Sequence, residues 1–343
     1  MDKRVIFAVA GSGKTTNIIT DLDESKRALI ITYTVNNYNN LKAKIIDKFG
    51  FIPNSIRLYT YFNFIYAFCF KPFCFLQYDT KGINFKPNPN KYARDTDRYI
   101  DKYKRLYSNR ISRFLVFNNI IDAVLKRIEK YFDFIFIDEV QDFAGHDFNF
   151  LKYLAKANTN ILFVGDFYQH TYDTSRDGSV NSNLHNDYET YKSYFEGLGL
   201  EIDTKSLLRS YRCSPTVCDF INNNLGIEIH SHNENETQVN MLSEPCDIRN
   251  IISDNEVVKL FYNKHYVYNL NSSNWGESKG IDHYNNVCVV LNKGTSDSFK
   301  NNSLLDLKPI VKNKLYVACT RARNNLYFVD ERDFKEQYCE IHT

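Results

Sequence analysis

The chain has 343 residues, 43% of them hydrophobic and 24% charged. That is enough for two domains with separate cores, and it excludes a disordered or fibrous polypeptide. A net charge of +2 excludes a surface that binds polyanions globally, so any nucleic-acid contact has to be local.

In chain order, residues 5–10, "VIFAVA", form an apolar, β-rich run of the kind buried in a parallel sheet. The run leads directly into a glycine loop, so no secretory leader is expected. The loop Ala10-Gly11-Ser12-Gly13-Lys14-Thr15-Thr16 precedes a helix start in "KTTNIITDL". Strand, glycine loop and helix make the context of a P-loop. Gly11 and Gly13 let the backbone turn N–H groups toward phosphate, and the helix N-terminus adds positive potential. Lys14 reaches the β- and γ-phosphates of a nucleotide, and the Thr15 hydroxyl ligates Mg2+. Ala8 stands where the general pattern has its first glycine.

"ALIITYTVNN", residues 28–37, and residues 56–61 read as the next two strands. The most apolar stretch, "TYFNFIYAFCFKPFCFL" at 60–76, is interrupted by Asn63, Lys71 and Pro72. It is short for a bilayer span and reads as core, so no membrane partner is expected. Residues 77–110 carry nine Lys and Arg against four Asp, with six aromatics among them. They open a small basic insertion at about 77–130, a composition that suits the phosphates and bases of a strand.

"FDFIFIDEVQD", residues 132–142, is a buried strand ending in Asp138-Glu139. Asp138 is placed to hold Mg2+, and Glu139 to orient or deprotonate the attacking water. "ILFVGDFYQHTY", residues 161–172, ends in Gly165-Asp166 and Gln169. Ligands collect at the carboxyl ends of parallel strands, which suits Gln169 to sensing a γ-phosphate. Residues 173–187 read as a polar loop.

The second domain begins near "KSLLRSYR". Ser214 and Pro215 read as the N-cap and first residue of the helix "TVCDFINNN". His230 and His232 in "IHSHNENE" lack further ligands at metal spacing and read as part of a solvated loop. "NVCVVL" and "NLYFVD" are the clearest strands, and "LKPIVKNKLYVACTRA" between them reads as a helix carrying Arg321 near its end. The expected organisation is an α/β chain with domains at 1–205 and 206–343. Eight cysteines without a C-x-x-C pair read as reduced thiols in a cytoplasmic protein.

"DEVQD", "GDFYQ", Tyr211-Arg212 in "LLRSYRCSPTVCDFIN", "ESKGID" at 277–282 and "VACTRA" at 317–322 follow the P-loop in that order. The ordered set covers most of the chain and resembles the UvrD/Rep-type superfamily 1 DNA helicases. The resemblance implies a P-loop NTPase fold of two RecA-like domains with parallel sheets, with ATP and Mg2+ bound between them. It implies that Arg212 and Arg321 face the γ-phosphate as arginine fingers. Gly280 and Asp282 of the fifth motif are assigned to the nucleotide. Thr34, Asn36, Thr60, Tyr61 and Tyr172 fall at positions matching the strand-contacting motifs.

The chain departs from that family in three places. Only about seven residues precede the P-loop, where larger members carry a glutamine-containing adenine motif, so adenine recognition is expected to be loose or to come from elsewhere. Thr174 and Ser175 stand where the family has a base-stacking Trp and an Arg. The insertions are small. The leading expectation is a minimal ATP-dependent DNA helicase or translocase acting on single-stranded DNA. The alternative is a nucleotide-dependent regulatory or assembly ATPase subunit beside a nuclease, similar to the helicase-like subunits of Gabija-type anti-phage defence systems.

Overall fold

Apolar runs that do not alternate with polar residues become strands buried on both faces, and these are the main strands of both sheets. The computed structural model describes residues 1–171 and 177–342. Tyr172, Thr174 and Ser175 lie outside the described residues. The chain divides into two units: Met1–Phe7, Lys14–Gly165 and Asp173–Asp203 form the first, and Ala8–Gly13, Asp166–Tyr172 and Thr204–Thr343 the second.

The strands of the first unit are β1 (Lys3–Phe7), β2 (Ala28–Thr32), β3 (Ile56–Thr60), β4 (Gly82–Asn84), β5 (Arg105–Tyr107), β6 (Phe134–Asp138), β7 (Asn160–Gly165) and β8 (Glu201–Asp203). Six of them make one parallel sheet in the order β3-β2-β6-β7-β1-β8, and β4 pairs with β5 in a separate ribbon. The register brings the carboxyl ends level: Thr32 lies beside both Thr60 and Asp138, Asp138 beside Val164, and Phe7 beside Gly165. Ile30, Ile31, Ile135 and Phe163, along these strands, are fully or almost fully buried.

The apolar stretch after β3 folds as a helical turn at Tyr61–Asn63, a π-helical segment at Phe64–Phe70 and an α-helix at Lys71–Tyr78. Phe64, Ile65, Phe68, Cys69, Phe70 and Cys74 are buried, but Phe73, Phe75 and Leu76 face solvent. Among the described residues, no helix is long and apolar enough to cross a membrane.

The basic excess of residues 77–110 is partly neutralised within the unit. Lys104 pairs with Asp79, Arg105 with Asp101, and Arg98 and Arg110 with Asp177. Lys81, Lys86, Lys91, Arg94 and Lys102 stay exposed.

In the second unit, β9 (Arg209–Ser210) pairs with β10 (His230–Ser231). The main sheet contains β11 (Val239–Leu242), β12 (Val257–Phe261), β13 (Ser272–Asn274), β14 (Asn286–Leu291) and β15 (Leu326–Asp330) in the order β11-β15-β14-β12-β13, all parallel. The residues around His230 and His232 are thus partly a strand, and the His232 ring stacks on Tyr211 at 3.9 Å. The helix Pro215–Leu225 starts as its sequence predicts, with the Ser214 hydroxyl accepting from the Val217 amide at 3.3 Å. The helix Pro309–Cys319 stops before Thr320, so Arg321 follows the helix instead of riding on it. Trp275, Leu315 and Phe328 anchor the core of this unit, which also takes in Val9 and Ala10.

Candidate functional site

In the first unit, Lys14 opens the helix Lys14–Asp21, and its side chain is largely buried. Thr15 is half-buried, and the Thr16 hydroxyl accepts from Lys44 Nζ at 3.0 Å. Asp138 ends β6 and is almost fully buried, with the Glu139 amide donating to its Oδ1 at 3.1 Å. Burial, and then the neighbouring Glu139 charge, push Asp138 up to about 7, with Lys14 opposing. A buried oxygen donor carrying charge that the protein incompletely compensates is the chemistry of a Mg2+ ligand. The buried Thr32 hydroxyl, beside Asp138 in the register, has no hydrogen-bond partner among the described residues. These donors fit a hard cation.

Glu139 adopts the left-handed backbone conformation, with φ of +57°. For a residue with a side chain this costs about 1–2 kcal/mol, and such strain gathers where a side chain must be aimed. Gln141 donates its side-chain amide to the Glu139 carboxylate. Gly165 leaves room for this arrangement, since a Cβ there would overlap the Gln141 side chain and crowd Val140.

In the second unit, the loop Ala8–Gly13 has φ of +72° at Gly11 and +87° at Gly13. A Cβ at Gly11 would sit 2.7 Å from Ser210 Oγ and 2.8 Å from Arg212 Cβ, so the backbone approaches this wall as only glycine permits. The Tyr211 amide donates to the Gly11 carbonyl at 2.9 Å, and the Ser12 hydroxyl to the Val9 carbonyl at 2.8 Å. The Ala10 amide is committed to Tyr316 Oη at 2.9 Å, and that hydroxyl donates to Asp166 Oδ2 at 3.0 Å. Gln169 Nε2 donates to the same carboxylate oxygen at 2.8 Å. One fully buried tyrosine therefore links the glycine loop to the segment carrying Gln169. Sequence reading missed it. The available signal was its place in "LYVACTRA", one helical turn before Thr320, whose hydroxyl donates to the Tyr316 carbonyl.

Arg212 and Arg321 converge on Asp282. Arg212 forms an ion pair with it and donates to the Thr320 carbonyl at 3.1 Å. Arg321 is almost fully buried, lies 3.8 Å from the same carboxylate and donates to the Ile281 carbonyl at 2.9 Å. Burial, and then the Arg212 charge, lower Arg321 to about 9 against the pull of Asp282. Asp282 is the more exposed partner, and Gly280, two residues before it, is left-handed.

The strand-contact expectations fare unevenly. Tyr61 is fully buried: its hydroxyl donates to Asp147 at 2.8 Å, and its ring stacks on Tyr33. The adjacent Phe62 is half-exposed and meets the exposed Phe85 edge-on at 5.1 Å. The Thr34 and Thr60 hydroxyls cap helical segments by accepting from the Asn37 and Asn63 amides. Asn36 is exposed. Tyr172 lies outside the described residues.

A second feature was not legible in the motifs. At the carboxyl ends of β12, β14 and β15 a cleft of about 1020 Å³ is lined in part by Lys264, Lys308, Arg332 and Lys335, against Asp306 and Glu331. Carboxyl ends of parallel strands are where ligands collect in open α/β sheets.

These features define a P-loop NTPase built on parallel α/β sheets. The family model for the viral superfamily 1 RNA helicase core domain matches residues 115–330. The match spans more than half of the chain, and the protein belongs to that family. No curated protein matches the sequence. The arterivirus nonstructural protein 10 helicase is structurally similar at 14% identity and a TM-score of 0.50, over 96% of this chain and 59% of that one. The same helicase in complex with DNA is similar at 15% identity and a TM-score of 0.49, over 98% and 63%. The chain thus spans about three-fifths of the length of the arterivirus protein, and at these identities the likeness concerns the fold.

Proposed function

We propose that the protein is an ATP-dependent translocase on single-stranded nucleic acid. Lys14 and the amides of the glycine loop hold the β- and γ-phosphates, and Thr15 and Asp138 hold Mg2+, which when bound neutralises charge on those phosphates. Glu139, aimed by its backbone and by Gln141, takes the proton of the attacking water. Gln169 senses the γ-phosphate, and Arg212 and Arg321 stabilise charge on the transferring phosphoryl group. Gly280 and Asp282 lie beside the nucleotide, and Asp282 holds the two arginines until the γ-phosphate takes them over.

The observation that carries this reading is the convergence of Arg212 and Arg321 on one exposed carboxylate, with Arg212 packed on Gly11 of the glycine loop. A γ-phosphate offers the two guanidiniums more charge and more acceptor oxygens than Asp282 does.

The basic cleft beyond β12, β14 and β15, with the exposed lysines of the insertion, supports a polyanionic strand as substrate. The motif order supports the UvrD/Rep branch and DNA, whereas the family match is to an RNA helicase core, so both strands belong in the assay. Steady-state ATP hydrolysis with and without single-stranded DNA or RNA tests the proposal. Strand stimulation that disappears in Glu139→Gln and Lys14→Ala is expected. Full activity in Lys14→Ala refutes the site.

A regulatory or assembly ATPase working beside a nuclease, in the Gabija manner, is the second reading. The full burial of Tyr61 favours it, because the Tyr61 hydroxyl is given to Asp147 and its ring to the core. Strand-independent hydrolysis together with copurification of a nuclease would select it. The thiol-rich composition, with six of eight cysteines buried, supports a cytoplasmic setting.

A further inference from the structure

Four basic side chains of the first unit surround the carboxylate of Asp177. Arg98 comes from the turn Asp95–Arg98, Arg110 from the turn Ser108–Arg110, Arg113 from the helix Ile111–Phe117, and His146 from the first turn of the helix Gly145–Leu154. Among the described residues, only Arg110 forms aligned hydrogen bonds with it: Nε and Nη2 donate to Oδ1 at 3.2 and 2.9 Å. Oδ2 lies 3.4 Å from His146 Nε2, 3.7 Å from Arg113 Nη1 and 3.8 Å from Arg98 Nη2. Among the described residues, that oxygen, His146 Nε2 and Arg98 Nε are all buried without a hydrogen-bond partner.

A carboxylate is a poor occupant of this cluster. Three guanidiniums meet one negative charge, so positive charge is left over even with His146 neutral. Two oxygens on one carbon cannot reach donors arrayed on several sides: His146 Nε2 is near enough but misaligned, and Arg113 and Arg98 stand beyond hydrogen-bond distance. A phosphate is larger and tetrahedral, and its oxygens accept strongly from arginine. Beside Arg113 and His146 opens a cavity of about 340 Å³ with Tyr153 on its wall. That volume falls within the range of small-ligand sites, about 300–1,000 Å³.

On the strand-binding reading above, we propose that Arg98, Arg110, Arg113 and His146 form a phosphate site separate from the glycine loop. It takes a backbone phosphate of the nucleic-acid strand, and Asp177 is the internal anion that the phosphate displaces. Part of the insertion's basic charge is thereby held in reserve, masked in the free protein and available to a strand that outcompetes one carboxylate.

The test is fluorescence anisotropy of labelled oligothymidylate and oligouridylate over a range of salt, with the full chain, Asp177→Asn and Arg113→Gln. Asp177→Asn is expected to bind about threefold to tenfold tighter, with a log K against log salt slope steeper by roughly one. Arg113→Gln, at a half-exposed position, is expected to bind more weakly with a shallower slope. Unchanged or weaker binding by Asp177→Asn, with no change in slope, overturns the proposal and leaves Asp177 as a structural counter-ion. Inorganic phosphate that raises the melting temperature of Asp177→Asn while strand affinity stays at the wild-type value also overturns it, in favour of a free-phosphate site. Failure of every form to bind either strand, with ATP hydrolysis intact, sinks the strand-binding reading as well. That outcome differs from a failure confined to the variants.

Discussion

Replacing Tyr316 by Phe removes one oxygen and leaves the ring in place. The lost hydroxyl accepts from the Ala10 amide and donates to Asp166, and the residue is fully buried. An amide left buried without a partner costs about 1–3 kcal/mol, and a lost hydrogen bond to a charged group about 1.5–3 kcal/mol. Asp166 keeps Gln169 and the Tyr168 amide as donors, so the two terms do not add in full. A total of about 2–4 kcal/mol is expected. In a unit of this size each kcal/mol moves melting by about 2–4 °C, which gives a drop of roughly 5–15 °C for the second unit. The loop whose Ala10 amide has lost its partner should also bind nucleotide more weakly. Differential scanning fluorimetry and titration with a fluorescent ATP analogue read both effects. Melting within about 1 °C of wild type, with unaltered nucleotide affinity, would refute the link between Ala10 and Asp166.

Gly11→Ala combines a left-handed backbone with contacts of 2.7 and 2.8 Å to Ser210 and Arg212. It is expected to cost more than the roughly 1–2 kcal/mol of the backbone term alone and to abolish nucleotide binding. Retained binding in a titration with the same analogue would contradict the close approach. Asp282→Asn frees two guanidiniums from their shared carboxylate, so a non-hydrolysable ATP analogue should bind tighter while ADP changes little. Weaker analogue binding would show that Asp282 does not compete with the γ-phosphate. The buried Asp330 carboxylate is held well below the usual range, first by hydrogen bonds from Arg332 against the cost of burial, then by Ser296 and Lys300. A depressed carboxylate stabilises the fold above its unfolded value of about 3.9 and loses that contribution as the pH falls toward its folded value. Asp330→Asn should therefore lower the urea midpoint at pH 7, by a margin that narrows below about pH 4. A margin that does not vary with pH would contradict the assignment.

The strands were legible because parallel strands buried on both faces need unbroken apolar runs, as in "ALIIT" and "NVCVVL". The strand, glycine loop and helix at residues 3–21 and the strand ending at Asp138 were legible because an apolar run that stops at glycines or acids marks the end of a buried strand. Burial at the edges of elements was not. Tyr61 follows β3 where a ligand-facing side chain is expected, yet its hydroxyl serves the buried Asp147, eighty-six residues away in the chain. The cluster around Asp177 was also hidden. Local composition counts charges within a window, and the carboxylate that neutralises Arg110 lies sixty-seven residues further on. Tyr316 escaped for a related reason: its place in "LYVACTRA" marks it, but its partner Ala10 lies 306 residues away in the chain.

The placement of β1 bears on how the protein is made. This strand is near the start of the chain, yet its neighbours in the sheet are β7 and β8, with Lys3 beside Ile161 and Arg4 beside Glu201. At about 5–20 residues per second, ~10–40 s of synthesis separate the emergence of β1 from that of its last partner. Until β7 emerges, Val5, Ile6 and Phe7, which end fully or almost fully buried, lack both of their neighbours in the sheet. A nascent chain thus carries this sticky segment past the cell's chaperones until Ile161 and the rest of β7 have been made.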